Sequence, residues 1–410
     1  MTLAGPEQAS AKAVAAVSNS LSGSLGKKLL LLLVSVILCV VGFVALDGAY
    51  SFLSRKSAAP TREELVGCMV NDALRDHAHR PDCSSIRAWG HVRYQLSVNS
   101  QGFRDKTVRE VPPTGPRPRL LMLGDSFTES MGPWEASFVG RLAATFPQYE
   151  FFNGGVIGYS PSTYLTTARL ALASALDFDE AIVFIDMSDV QDEAAVVHDV
   201  GRSGAVVFAR SQAKPETWYS DPRMFISRHL ALTNYVVEFV ERNLVRFGCY
   251  YLRRGWEGNV FDVARSAWTY RQVDEYSPAE LGFAPLGVEA GIEKEKEKME
   301  LLRHELAKHN IPLSVVVYPW PAQLVHDTVD SRQVQIWREW CHGRCKRFVT
   351  AFPEFFAAKQ QCPKLAPGCW YEKNYTFGDI HFNAGGNAIV ADVVSTVLEA
   401  EPPVKHAPSP

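Results

Sequence analysis

The 410-residue chain carries little net charge and none of the common zinc-binding motifs. Its 42 Lys and Arg nearly balance its 45 Asp and Glu, giving a formal charge of -3, which provides no positive field for nucleic acid. No CxxC pair and no HExxH motif occurs, so neither a structural zinc site nor a zinc protease is indicated. We therefore expect no metal, no other cofactor and no nucleic-acid partner.

One long apolar segment stands apart from the rest of the sequence. Residues 29–46 carry no charge and follow Lys27 and Lys28, and the segment continues past Asp47 to position 53 without a further charge. As a helix this segment can cross a hydrocarbon core of about 30 Å. It is long for the apolar region of a cleaved signal peptide, no convincing small-x-small cleavage site closes it, and it lacks the polar residues that a buried core helix shows at helical spacing. The sequence thus predicts a transmembrane anchor at 29–53.

The basic residues on the two sides of this anchor nearly balance. Three lysines precede it, at positions 12, 27 and 28, and three basic residues follow it, at positions 55, 56 and 62. The positive-inside rule therefore does not fix the orientation. We expect residues 1–28 to form a disordered cytoplasmic tail of a single-pass inner-membrane protein, with the remainder in the periplasm or otherwise outside the cytoplasm.

Cysteine usage fits that placement. Seven of the eight cysteines follow the anchor, and two pairs lie close in sequence, Cys341 with Cys345 and Cys362 with Cys369. Close pairs suit an oxidising compartment, although an odd number leaves at least one thiol unpaired. Simple buried thiols are the alternative.

A proline-rich segment marks the start of the main domain. VPPTGPRP at residues 111–118 interrupts regular structure because proline cannot continue a strand or a helix. We predict an N-terminal extension or linker at 54–117, a main domain at 118–400 and a disordered tail at 401–410. Within the main domain, residues 200–285 break the pattern as an insertion.

Alternating elements predict the fold of the main domain. A three-layer α/β/α sandwich with a central parallel sheet, of the flavodoxin-like kind, follows from strands that alternate with helices. The short apolar runs lie at 119–123, 149–152, 181–185 and 312–318, and the helical patterns at 137–146, 291–310 and 384–399.

The basic, aromatic stretch at 242–256 belongs to the insertion. It could lie on a membrane surface or line a substrate groove. An ordinary packed insertion fits the same residues, so its role stays open.

Three residues could supply nucleophilic catalysis. Ser126, in Gly-Asp-Ser, follows the first core strand directly, which places it on a strand-to-helix turn where ligands bind in open α/β folds. A serine hydroxyl needs a base to take its proton and a third group to orient that base. His381, with Asp379 two residues before it, provides both.

The order of these motifs resembles the SGNH, or GDSL-like, hydrolase family. The resemblance covers roughly residues 94–195 and 311–399. It implies that Ser126 is the nucleophile, that Asp379 and His381 complete the triad, and that Gly158, in the NGGVIGYS turn, donates its amide to the oxyanion hole. Where the family has an oxyanion asparagine this chain has Ser188, so one donor differs.

The last motif departs from most family esterases. They space the two residues as Asp-x-x-His, whereas Asp379-Ile380-His381 is shorter by one and is similar to the periplasmic polysaccharide O-acetyltransferases related to alginate acetylation. Trp320, after a later strand at the same sheet edge, is a candidate for stacking on a sugar, with core packing as the alternative.

The sequence therefore predicts a membrane-anchored serine esterase or O-acetyltransferase that acts on a cell-surface carbohydrate. Acetyl transfer would require an acyl donor, delivered by a membrane partner. Two other hypotheses remain: a non-catalytic glycan-binding or assembly protein that keeps the fold, and a lipid-directed lipase or thioesterase.

Overall fold

The protein is described by a computed structural model covering residues 6–54, 67–89, 92–200, 205–208, 226, 230–247, 263–270, 282–362, 369–376 and 379–405. The chain divides into two units. One comprises Met1–Ala59 and Pro215–Glu241, and the other comprises Pro60–Lys214 and Arg242–Pro410.

The first unit is built on one long helix, α1, which runs over Pro6–Ser54. Within the segment Lys27–Leu53, an 18-residue window has a mean hydropathy of 3.2 and contains no buried residue, so by length and composition the segment could cross a membrane or act as a signal sequence. The helix also extends upstream to Pro6, where the sequence analysis predicts a disordered tail. The Ala-rich composition of that segment, which favours helix, explains the difference.

The second unit contains a mixed sheet of eight strands, in the order β12-β11-β8-β6-β7-β5-β4-β3. The five strands from β12 to β7 are mutually parallel. Beyond β7, each of β5, β4 and β3 pairs antiparallel with the strand before it in this order. Two hairpins, β1 with β2 and β9 with β10, stand outside it. The strands are β1 Met69–Asp72, β2 Asp76–His79, β3 Ser84–Trp89, β4 Val92–Val98, β5 Arg104–Asp105, β6 Arg119–Leu123, β7 Glu150–Asn153, β8 Glu180–Ile185, β9 Val197–Val200, β10 Ala205–Phe208, β11 Leu313–Val317 and β12 Arg347–Thr350.

The parallel part of this sheet confirms the predicted fold class. If the five parallel strands are numbered by their order in the chain, from β6 as strand 1 to β12 as strand 5, their order across the sheet is 2-1-3-4-5. This is the flavodoxin-like arrangement, in which the strand order reverses between β6 and β8. All residues of β6, β8 and β11 are buried, as expected for strands covered on both faces.

Helices cover both faces and complete the three layers. Alternate residues of β6 divide between two apolar cores: Leu120 and Met122 face one, and Leu121 and Leu123 face the other. The helices after α1 are α2 Ser126–Glu129, α3 Phe138–Thr145, α4 Pro161–Ala173, α5 Asp189–Gln191, α6 Ala231–Phe247, α7 Val263–Ser266, α8 Val288–Ala307, α9 Pro321–His326, α10 Arg332–Cys341, α11 Phe352–Gln360, α12 Cys369–Asn374 and α13 Ala384–Ala400.

The predicted extension at 54–117 proves to be part of the sheet. It supplies β3, β4 and β5, which continue the sheet beyond β7. The sequence conceals this because two arginines on these strands, Arg87 and Arg104, are buried by ion pairing and hydrogen bonding with residues far along the chain. The main domain therefore begins well before residue 118.

Disulfides and one C-terminal lysine fasten the second unit. Both close cysteine pairs form bonds, Cys341–Cys345 and Cys362–Cys369, and a third bond joins Cys68 to Cys83. Lys405 pairs with Asp177 and Asp179, so the predicted disordered tail is held down as far as that residue. Positions 406–410, and most of the basic stretch at 242–256, lie outside the described residues.

Candidate active site

Ser126 lies where the first parallel strand meets its helix. It is the first residue of α2, directly beyond β6, and Asp125 caps the helix by accepting a hydrogen bond from the Phe127 amide at 2.9 Å. Glycine is required just before it, because a Cβ on Gly124 would lie 2.0 Å from the Thr128 hydroxyl oxygen. The serine thus stands at the carboxyl edge of the sheet, beside the reversal of strand order where open α/β folds bind ligands.

The three predicted catalytic residues form one hydrogen-bonded chain. The Ser126 hydroxyl lies 2.8 Å from His381 Nε2, and His381 Nδ1 lies 2.6 Å from Asp379 Oδ1. In the tautomer with the proton on Nδ1, the imidazole donates to Asp379 and accepts the serine proton on Nε2. Ser126 and His381 are each 7% exposed, so the reacting atoms are largely shielded from water.

Asp379 is held in its ionised form. Burial alone would raise its pKa, but hydrogen bonds from the His381 ring, the charge of that ring and a hydrogen bond from the Trp89 indole outweigh burial and lower the pKa of Asp379 to about 2. Its backbone is fixed as well, because the Asp379 amide donates to the Tyr371 hydroxyl, 3.0 Å away, and to the Thr376 carbonyl. The carboxylate is therefore present to orient His381 across the physiological pH range.

Trp89 is a site residue that the sequence analysis missed. Its indole N–H donates to Asp379 Oδ2, and its ring meets the His381 ring edge-on at 5.0 Å. Phe127 contacts His381 with ring centroids 4.7 Å apart. Trp89 and Asp379 are 290 positions apart in the chain, so no local pattern connects them.

The loop at 153–160, which is expected to supply an oxyanion donor, packs closely on α2. A Cβ on Gly155 would lie 2.4 Å from the Glu129 amide nitrogen, so only glycine allows this approach. Gly158 has a φ of +76°, a backbone conformation that favours glycine. Asn153 fastens the start of the loop, since its side-chain amide donates to the Thr128 carbonyl at 2.8 Å. The Ser126 amide, at the first turn of α2, is a further candidate donor for an oxyanion.

Ser188 lies in a turn after β8 and is 4% exposed. Its backbone amide donates to Asp186 Oδ1 at 2.6 Å, so that amide is engaged within its own turn. A role for Ser188 in the oxyanion hole stays a prediction.

Trp320 has a structural role, contrary to its prediction as a sugar-stacking residue. It is 1% exposed, its indole N–H donates to Asp186 Oδ2 at 2.7 Å, and its ring stacks on Phe127. The Arg265 guanidinium lies 5.3 Å from the ring centroid. Its surfaces are occupied by protein, so this tryptophan supports Phe127 and through it the His381 ring.

A second carboxylate lies beside the nucleophile. Asp125 Oδ2 is 3.3 Å from the Ser126 hydroxyl. Burial, and then the nearby charge of Asp186, raise the pKa of Asp125 well above its usual range. A carboxyl group that resists ionisation is a poor competitor for the serine proton, so His381 remains the better candidate for the base.

A buried ionic network surrounds Glu129, the last residue of α2. Glu129 accepts a hydrogen bond from the Ile157 amide at 2.8 Å and contacts His79 at 3.2 Å and Arg87 at 3.3 Å. The Arg104 guanidinium donates to three backbone carbonyls at and just beyond the end of α2, those of Glu129, Ser130 and Gly132. Because Ile157 belongs to the loop at 153–160, the Glu129 side chain links that loop to α2.

Comparisons with known proteins find similar solved structures only at low sequence identity. No protein-family model and no curated protein sequence matches the chain. Similar solved structures include a catalytic mutant of an acetylxylan esterase from Geobacillus stearothermophilus, with 10% identity, a TM-score of 0.36, and coverage of 70% of this chain and 95% of that one. An α/β hydrolase from the metagenome of Lake Arreo has 11% identity, a TM-score of 0.36 and coverage of 70% and 97%. A GDSL-like lipase from Bacteroides thetaiotaomicron has 9% identity, a TM-score of 0.31 and coverage of 69% and 88%.

Because these TM-scores lie below 0.5, the description of the fold and the site rests on the chain's own strand order and geometry. The parallel strands lie in the order 2-1-3-4-5, Ser126 follows β6 directly, and the Asp379–His381 pair before the last helix completes a Ser–His–Asp chain of hydrogen bonds at the carboxyl edge of the sheet.

Proposed function

We propose that the protein is a membrane-anchored, extracytoplasmic serine esterase or O-acetyltransferase that acts on acetyl esters of a cell-surface carbohydrate. The observation that carries the proposal is the continuous hydrogen-bonded chain from Ser126 through His381 to Asp379. An assembly protein that merely kept the fold would have no need of a carboxylate held ionised behind a correctly placed imidazole.

The geometry supports a two-step acyl transfer. The Ser126 hydroxyl oxygen attacks the ester carbonyl while its proton passes to His381 Nε2 over 2.8 Å. The tetrahedral intermediate collapses, its C–O bond to the alcohol breaks, and His381 returns the proton to the leaving oxygen. The acyl group is then bonded to Ser126. Attack by water releases the acid, and attack by a sugar hydroxyl gives the transferred ester; in both cases His381 takes the proton of the incoming group and returns it to Ser126.

Three features support the location and the acyl size. The three disulfides favour an oxidising compartment, and the apolar segment of α1 favours anchoring in the inner membrane. A nucleophile that is only 7% exposed favours a small acyl group such as acetyl over a long acyl chain. For transfer, an acyl donor delivered by a membrane partner is part of the proposal.

The test is acetate release from an aryl acetate by the full chain in detergent, with and without an oligosaccharide acceptor. Ser126→Ala is expected to abolish turnover, whereas Ser130→Ala, a buried serine four residues away, is expected to retain it. Acetyl on the oligosaccharide identifies a transferase, and free acetate alone identifies an esterase. Equal turnover by wild type and Ser126→Ala would refute the proposal.

A further inference from the structure

Helix α6 presents an apolar stripe to the outside of the first unit. Leu232, Val236 and Val240 recur at four-residue spacing, and they are 44%, 49% and 46% exposed. Tyr235, beside them, is 69% exposed. By contrast, the polar Asn234 on another side of the helix is 2% exposed. This helix therefore turns apolar side chains outward and a polar one inward, the reverse of a helix that faces water.

The first turn of α6 is fastened to α1. The Leu232 amide donates to Asp47 Oδ1 at 2.9 Å, the Thr233 amide donates to Asp47 Oδ2, and the Ala231 amide donates to the Ser51 hydroxyl at 2.9 Å. Asp47 is 1% exposed. Two side chains of α1 thus satisfy three backbone amides that open α6, as a capping residue would within one helix.

Asp47 marks the end of the uncharged run of α1. The 18 residues at positions 29–46 carry no charge, and as a helix they span about 27 Å, close to the thickness of a hydrocarbon core. The side chains on this run are outward-facing: Leu32 is 63% exposed and Leu38 is 65% exposed. If α1 spans a bilayer, Asp47 lies at the boundary between acyl chains and headgroups, and α6 begins there.

We infer that α6 lies in the membrane–water interface, with its Leu232, Val236 and Val240 face in contact with lipid and its first turn capped by Asp47. The inference rests on the membrane anchor of the proposed function. Lipid is the occupant that these surfaces favour, because the exposed stripe begins where the exposed apolar surface of α1 ends, and an amphipathic helix at that level buries such a stripe at the boundary of the acyl chains. Tyr235 suits the same level, where aromatic residues with a polar tip are enriched.

The test measures the depth of nitroxide spin labels in the full chain reconstituted in phosphatidylcholine vesicles. In a background with Cys39 and Cys249 replaced by serine, single cysteines are introduced by Val236→Cys and Val240→Cys. Two further labelled positions serve as references for depth. One is a label on the native Cys39, within the apolar run, and the other is Glu293→Cys on α8, where the native side chain is 73% exposed. Collision rates with oxygen and with a water-soluble nickel complex give the depth.

The expected result is a preference of the Val236 and Val240 labels for oxygen over nickel at least tenfold above that of the Glu293 label. Labels on α6 that match Glu293, while Cys39 is lipid-exposed, would overturn the inference and leave the anchor intact; a membrane-protein partner would then be the better candidate for this face. A water-accessible Cys39 would overturn the anchor and the inference together.

A second variant tests the cap. Asp47→Ala removes the acceptor for two of the three amides and is expected to reduce the oxygen preference at Val240 while leaving that at Cys39 unchanged. No change at Val240 would show that Asp47 does not hold α6 at this level.

Discussion

Replacing Glu129 by glutamine removes the charge at the centre of the network beneath α2. Burial would raise the pKa of Glu129, but the charge and hydrogen bond of His79, the charge of Arg87 and the Ile157 amide lower it to about 2, against an ordinary value of 4.5. The ionised carboxylate therefore contributes about 3 kcal/mol to the free energy of unfolding at pH 7. The glutamine variant is expected to lose about that amount, because it leaves the Arg87 guanidinium buried without its counter-charge.

The sign of the pH dependence follows from the lowered pKa. The stabilisation is complete above 4.5 and is lost as the pH falls towards about 2, so the deficit of Glu129→Gln should shrink to about 2 kcal/mol at pH 3.5. Urea unfolding of the second unit, followed by near-ultraviolet circular dichroism at both pH values, measures it. Glu135→Gln, at an exposed position nearby, is the matched control and should leave the midpoint unchanged. A deficit below about 0.5 kcal/mol at pH 7, or one that grows towards acid pH, would refute the reasoning.

Three further predictions concern Trp89, Trp320 and the Cys68–Cys83 disulfide. Trp89→Phe keeps a ring against His381 but removes the donor to Asp379, so kcat should fall roughly tenfold with KM unchanged, since a hydrogen bond to a charged group contributes about 1.5 to 3 kcal/mol; unchanged kcat would exclude a positioning role. Trp320→Phe should lower the free energy of unfolding, measured by urea denaturation, by about 1 to 3 kcal/mol but leave KM for a sugar acceptor unaltered. A large rise in that KM would instead support a role for Trp320 in stacking on a sugar. Replacing both Cys68 and Cys83 by alanine opens a link over 15 positions and should cost about 3 kcal/mol of stability; an unchanged urea midpoint would contradict it.

The sequence predicts the parallel core well because its strands are short, apolar and fully buried. The runs at 119–123 and 181–185 correspond to β6 and β8 almost residue for residue. Ser126 follows from its position after such a strand, and the Asp379–His381 pair is readable because both residues lie in one short segment. These are local signals, which a single sequence carries.

Partners far apart in the chain are not readable in this way. Arg87 and Arg104 lie in the segment predicted as an extension or linker, yet both are buried because Glu129 pairs with Arg87 and backbone carbonyls at the end of α2 accept hydrogen bonds from Arg104. Trp89 contacts Asp379 because β3, which carries Trp89, joins the eight-stranded sheet as an edge strand. For Trp320, position at the sheet edge was predicted, but its burial depends on Phe127, Asp186 and Arg265.

The most direct test of the catalytic account is reaction of the full chain with a serine-reactive phosphonate, followed by mass spectrometry of the peptides. A single adduct on Ser126 is expected in the wild type, strongly reduced in His381→Ala and absent in Ser126→Ala. A folded wild-type protein that leaves Ser126 unmodified, or one that is labelled equally well without His381, would contradict the account.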